Sequence, residues 1–145
     1  MKTYPPTPEN TDDTIDSRDV IARLEELQNE KDDLTLAVTD LDPQEEPEEL
    51  AEAVTALADW EDDNGEEYEA LKALNEEGEE YSSNWRYGEL LIHESYFEQA
   101  MDEMVSECYE LPKDLPFWMT ITYDYDALRQ DYTEIDFGGV AYFVR

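Results

Sequence analysis

Very few side chains in this sequence could carry covalent chemistry. One histidine, His93, and one cysteine, Cys108, are the entire supply of the two groups that most often act as base and nucleophile. A Ser-His-Asp relay would have to use His93, and no nucleophile motif with the required neighbours is present. His93 therefore reads as an orienting or partly exposed polar residue. Cys108 falls in the apolar phase of an expected helix, with no cation near it to favour the thiolate, and reads as a small core residue. Zinc sites built from several Cys and His are out of reach. No Gly-rich loop leads into a helix with a following Lys to cradle phosphate. The nearest approach to a calcium loop, DWEDDNGEEYEA from Asp59, has its Gly at the seventh position and lacks the alternating oxygens of an EF-hand. It supports only weak surface binding of divalent ions. Carboxylate pairs of the kind that hydrolyse glycosides arise by chance in so acidic a chain. The expectation is a protein that is not an enzyme, with no catalytic residue, no cofactor and no dedicated metal site.

What the chain has in excess is negative charge. It carries 41 Asp and Glu against 9 Lys and Arg, a formal charge of −32 over 145 residues. That is far beyond what solubility asks for, and self-repulsion on this scale opposes compaction. From Asp42 to Asp63 ten acids fall in twenty-two residues with no Lys or Arg among them, although a helix gains from Glu–Lys pairs four residues apart. Duplex DNA carries one negative charge per 1.7 Å of axis, so this charge corresponds to about 54 Å, or about 16 base pairs. Acids recurring every three or four helical residues form a row of carboxylates about 5 to 6 Å apart, close to a row of phosphates. The candidate partner-binding residues are accordingly Glu45, Glu46, Glu48, Glu49, Glu52, Asp59, Glu61, Asp62, Asp63, Glu66, Glu67, Glu69, Glu76 and Glu77. Glu79 and Glu80 continue the field, and Asp124, Asp126, Asp131, Glu134 and Asp136 form a second group. Nucleic acid and anionic leaflets repel such a chain, so the partner expected is a basic protein groove.

Hydrophobic residues make up 40% and aromatics 12% of the sequence, too many for a chain that stays disordered. The length suits one domain. MKTYPPTPEN lacks the apolar stretch of a secretion signal, and no apolar run reaches a membrane span, so a cytoplasmic protein is expected.

Residues 1–14 read as a mobile tail. Residues 15–80 read as an acidic helical region. Ile15, Asp16, Asp19 and Val20 make a hydrophobic staple around a variant capping box. Val20, Leu24, Leu27, Lys31, Leu34, Val38 and Leu41 then fit one long helix, or two that part at Lys31-Asp32-Asp33. Pro43 and Pro47 end that element, and either can open the next. Its apolar stripe is read as Leu50, Val54, Leu57 and Glu61, ending near residue 61. Asn64-Gly65 is read as a break, followed by a short helix with Tyr68, Leu71 and Leu74 that stops at Gly78. Residues 81–145 form an α+β module. Phe97, Met101, Met104, Val105 and Cys108 mark a helix to about Tyr109, ended by Pro112 and Pro116. Asp124 caps a short helix, and EIDFGGVAYFVR makes a hairpin turning at Gly138-Gly139. The fold class is thus α+β, an acidic N-terminal helical layer followed by a small module with helices and a C-terminal β-hairpin, packed as one unit. Trp85-Arg86-Tyr87 and Phe117-Trp118-Met119 read as core, with contact hot spots the alternative.

The segment HESYFEQAMDEMVSECYELPKDLPFWMTITYDYDALRQDYTEIDFGGVAYFVR, residues 93–145, resembles the terminal module of ArdA-type antirestriction proteins, acidic DNA mimics of phages and mobile elements. The likeness lies in an acid and an aromatic that open a helix, a Pro-containing loop, the stretch Tyr123-Asp124-Tyr125-Asp126-Ala127-Leu128-Arg129, and a Gly-containing hairpin of aromatics and Val. It implies a protein, often a dimer, that occupies the DNA-binding groove of a restriction-modification complex. Here a single such module carries a helical acidic extension in place of the family's other modules. That leaves room for a different basic groove, including that of a CRISPR effector. An acidic adaptor or chaperone for a basic nucleoid protein is the second reading of the charge. Adaptation to high internal salt is the purely structural one.

Overall fold

A three-residue strand, β1 (Thr14–Asp16), runs directly into the first helix, α1 (Ser17–Thr39). Asp16 marks the join. Its carboxylate accepts from the Arg18 backbone N–H at 2.9 Å and pairs with the Arg18 guanidinium at 2.6 Å, so one orphan donor of the first turn is satisfied. The helix continues unbroken through Lys31-Asp32-Asp33. Val20 and Leu27 on it are fully buried, with Ile21, Leu24 and Leu34 packed beside them.

After residues 40–46 the chain reverses into α2 (Pro47–Tyr81), one helix of 35 residues opened by proline without a side-chain cap. The break expected at Asn64-Gly65 and the stop expected at Gly78 do not occur. A glycine inside a helix costs about 1 kcal/mol. Burying Leu71, Leu74, Tyr68 and Trp60 against α1 and the sheet returns about 1.5–3 kcal/mol for each large side chain, so packing overrides local propensity. Gly78 has a packing reason: a Cβ there would lie 2.5 Å from the buried Trp85 indole. The seam of α2 runs through Leu50, Ala53, Leu57, Trp60, Asn64, Glu67, Leu71, Leu74 and Gly78, alternating steps of three and four. The expected stripe through Val54 and Glu61 is wrong in phase, for Val54 is 49% exposed and Glu61 faces solvent.

The structure, a computed structural model, describes residues 7–145 and is α+β. A single turn of helix, α3 (Trp85–Gly88), leads to β2 (Leu90–His93). Then follow α4 (Phe97–Cys108), α5 (Tyr125–Arg129), β3 (Thr133–Phe137) and β4 (Val140–Val144). Asp124 caps α5 by accepting from the Ala127 N–H at 3.1 Å. Gly138 and Gly139 turn the β3–β4 hairpin with φ of 58° and 86°, as a tight turn between twisted strands requires.

The hairpin is half of a larger sheet. Four antiparallel strands lie in the order β1-β2-β4-β3. Strand alternation gives the sheet two apolar faces. Leu91, Ile135, Tyr142 and Val144 meet the α1–α2 layer, while Ile92 and Phe143 meet Phe97 and Met101 of α4 and Leu128 of α5. Residues 15–80 and 81–145 therefore share one sheet and one core.

Two expectations need correction here. The tail assigned to residues 1–14 lies outside the described residues only for 1–6. Further on, the Tyr142 hydroxyl donates to the carbonyls of Glu9 (3.2 Å) and Asp12 (2.7 Å), and Thr14 pairs with Ile92. The segment covers an edge that β2 would otherwise leave open. Cys108 is exposed instead of buried, because the chain after α4 turns outward and leaves Tyr109 64% exposed.

Candidate functional site

Helix α2 carries its charge on the side away from the seam. Glu48, Glu52, Asp59, Asp62, Glu66, Glu69, Glu76 and Glu80 follow one another in steps of three, four or seven, and all are exposed. Thr55 and Ala73 occupy the two places in the row without an acid. At 1.5 Å of rise per residue the row is about 48 Å long. The helix as a whole holds fourteen acids and one base, Lys72, so its net charge is −13 over 35 residues. That is about one charge per 4 Å of axis, against 3.4 Å along a single DNA strand. The expected break at Asn64-Gly65 would have divided this row. Its absence makes the row continuous.

The charged face survives because the seam is apolar and anchored. Three contacts tie α2 to α1 at its middle. Arg23 reaches Glu67 through Nε at 2.6 Å and Nη2 at 3.2 Å, the Trp60 indole N–H donates to Glu30 at 3.1 Å, and the Tyr68 hydroxyl donates to Gln28. Lys31 lies over the Tyr68 ring, 4.9 Å from its centre. The Glu67 hydrogen bonds hold Arg23 still more firmly protonated. Glu67 is thus a structural acid, neutralised inside the helical layer and lost to the outer row.

The other predicted residues divide. Glu45 is exposed in the α1–α2 connection, while Glu46, the N-cap residue of α2, and Glu77 are half-buried. Glu49, Glu61 and Asp63 flank the row. In the second group Glu134 and Asp136 stand on the edge strand β3. They share a shallow groove of about 340 Å³ with Glu77 and Glu94, so the anionic surface passes from α2 onto the sheet edge. Asp136 also accepts from the Gly139 N–H at 3.2 Å and so steadies the hairpin turn, and acids on an edge strand discourage pairing with another chain. Asp124 and Asp126 belong to α5 on the opposite face. The first is a helix cap, and the second pairs with Arg129 at 2.9 Å. Asp131 is exposed in the turn after α5. The structure does not bring these three to the α2 row.

The reactive candidates are placed as follows. His93 Nδ1 receives the Ser95 backbone N–H at 3.0 Å, with the Ser95 hydroxyl 2.9 Å away, and its ring meets Tyr142 edge-on at 5.1 Å. This is a local turn at the end of β2, in which Ser95 engages Nδ1 through both its backbone N–H and its hydroxyl. Residues 59–70, the nearest approach to a calcium loop, are helical throughout, so their carboxylates radiate outward and cannot wrap an ion. Among the described residues no group of three or more His, Cys, Asp or Glu is placed to hold a metal, and no helix is long and apolar enough to cross a membrane.

One feature of the surface departs from the expected core. Phe117 is 98% and Trp118 69% exposed, with Met119 and Ile121 partly so, whereas in the other aromatic cluster Trp85 is buried as expected and Tyr87, against expectation, is 77% exposed. Pro-flanked aromatics of this kind carry no periodicity that would tell loop from core, and only the absence of charge from Leu115 to Tyr123 sets the segment apart.

Comparison with known proteins finds no family model, no curated protein and no solved structure that matches the chain. The likeness to ArdA-type proteins therefore rests on the residues of the C-terminal segment alone.

Proposed function

We propose that this protein is a DNA mimic that inhibits a bacterial DNA-binding defence enzyme by filling its basic groove, acting in the cytoplasm of the host. The observation that carries this reading is the unbroken helix α2, whose exposed acidic row is about 48 Å long and whose net charge averages about one per 4 Å of axis, near that of one DNA strand. A fixed helix presents its carboxylates without the ordering cost that a disordered acidic tail incurs on binding. Restriction-modification enzymes are the leading target class, because residues 93–145 resemble the ArdA-type module. A CRISPR effector that holds duplex DNA is the alternative target for the same surface. An adaptor for a nucleoid protein would use the charge without competing with DNA.

Competition separates these readings. A labelled duplex is bound to a purified restriction-modification methyltransferase, and in parallel to a DNA-cleaving CRISPR effector, and the protein is titrated in. Stoichiometric displacement from either, weakening steeply as salt rises, is the expected result. A ternary complex, or no displacement from either enzyme, would contradict the proposal.

A further inference from the structure

The segment between α4 and α5 is built to display apolar side chains. The Met119 N–H donates to the Pro116 carbonyl at 2.9 Å, closing a turn whose two central residues are Phe117 and Trp118. That turn places two of the three most exposed large hydrophobic side chains among the described residues, at 98% and 69%, side by side at its tip. The far end of the segment is tied down, for the Tyr125 hydroxyl donates to Asp102 of α4 at 2.6 Å. Charged residues flank the apolar tip along the chain: Glu110, Lys113 and Asp114 precede it and Asp124 and Asp126 follow, all exposed, with acids outnumbering the one cation four to one.

We infer that the Phe117-Trp118 turn is an apolar anchor that inserts into a cleft, edged by Lys or Arg, on the same basic DNA-binding protein whose groove α2 occupies. The inference rests on the DNA-mimic reading and adds a second kind of contact to it. Exposed aromatics flanked by charged residues have the composition of an interface centre and its rim, where a few large side chains supply most of the affinity. The rim selects the occupant. It repels nucleic acid and anionic lipid, and a second copy would bring the same negative rim against it. Helix α2 packs on one face of the sheet, and α4 and α5, which bound the segment carrying the turn, pack on the other, so a partner reaching from the α2 row to this segment extends around the protein as a channel does around duplex DNA. Division of labour follows: the carboxylate row brings fast, salt-sensitive association, and the turn brings affinity that salt does not remove.

The test uses full-length protein and a purified restriction-modification methyltransferase, with affinity measured from low to high salt. A Phe117→Ser/Trp118→Ser variant should keep the wild-type melting temperature, since both side chains are outside the core. Its Kd should rise about 30-fold at every salt concentration, with the slope of log Kd against log salt unchanged. Acrylamide quenching of Trp118 should fall when the wild type binds. If the wild type binds and the variant binds equally well, the anchor is wrong and the DNA-mimic reading stands. If the wild type binds neither the methyltransferase nor a DNA-cleaving CRISPR effector, both fail together. A wild-type dimer in sedimentation that the variant dissolves would put a second copy on the turn, and insertion of Trp118 into neutral phosphatidylcholine vesicles would put lipid there. Either result overturns the inference.

Discussion

Along α1 six acids stand against three cations, with Arg18 held by Asp16 and Arg23 by Glu26 and Glu67; along α2 fourteen acids stand against Lys72. The two helices pack on each other through similar seams, both contribute to the same core, and both leave an outer face to solvent. A helix in this position can therefore mix its signs, and α1 does so on the side that meets α2, where Arg23 and Lys31 lie, while its exposed charges are Glu25, Glu30, Asp32 and Asp33 with Arg18. The charge of α2 is not a requirement of the fold. It persists although like charges three and four residues apart destabilise a helix by a few tenths of a kcal/mol per pair, and the proposed function assigns that surface to a partner.

The comparison can be broken at the seam. Leu71 is fully buried between the helices and the sheet, and Leu71→Ala should cost about 3 kcal/mol in chemical denaturation. A much smaller loss would mean that α2 holds its place by something other than apolar packing. The next contrast lies within α2 itself, between adjacent acids. Glu67→Gln leaves the half-buried Arg23 without its best partner and should lose about 1.5 kcal/mol, reduced because the pair is partly solvated. Glu66→Gln, on the outer row, should lose nothing or gain slightly. Equal losses would erase the distinction between structural and displayed acids.

Capping sharpens the contrast further. α1 begins on a carboxylate and α2 on a proline with no side-chain cap. Asp16→Ala should cost about 1 kcal/mol. The Arg18 side chain, with help from its backbone N–H, holds the Asp16 carboxyl below 3.8 despite partial burial. A carboxyl with a lowered folded-state pKa contributes its stability above the unfolded value and loses it as pH falls through the folded one. The stability difference between wild type and Asp16→Ala should therefore be full at pH 7 and shrink progressively below about pH 4. The smallest effect concerns the break that does not form. A Cβ added at Gly65 would meet nothing within 4 Å, so Gly65→Ala should stabilise α2 by about 0.8 kcal/mol in thermal unfolding.

What could be read from the chain was local. Asp16 and Asp124 announce their helices because a cap needs only its next few residues, and Gly138-Gly139 announces its turn through a backbone conformation other residues avoid. What could not be read depended on distant partners. Asn64-Gly65 and Gly78 stay helical because α1 and Trp85 pack there, and β1 forms because β2 lies beside it seventy-odd residues later. The site divides in the same way. The acids of α2 were legible as a row, but Glu67 is withdrawn from it by Arg23, and Asp124 and Asp126 by their duties on α5. The exposure of the Phe117-Trp118 turn was not legible, since aromatic residues next to prolines read the same in a core or on a surface.

The most direct test of the account neutralises equal charge on the two helices. Asp59, Asp62, Glu66 and Glu69 are changed to their amides in one variant, and Glu25, Asp32, Asp33 and the C-cap Asp40 of α1 in the other, with displacement of duplex from the methyltransferase as the readout. The account predicts at least about a 100-fold loss of inhibition for the α2 variant, equivalent to about 2.7 kcal/mol, and less than about 5-fold for the α1 variant. Equal losses for both, or inhibition by the α2 variant at wild-type strength, would contradict it.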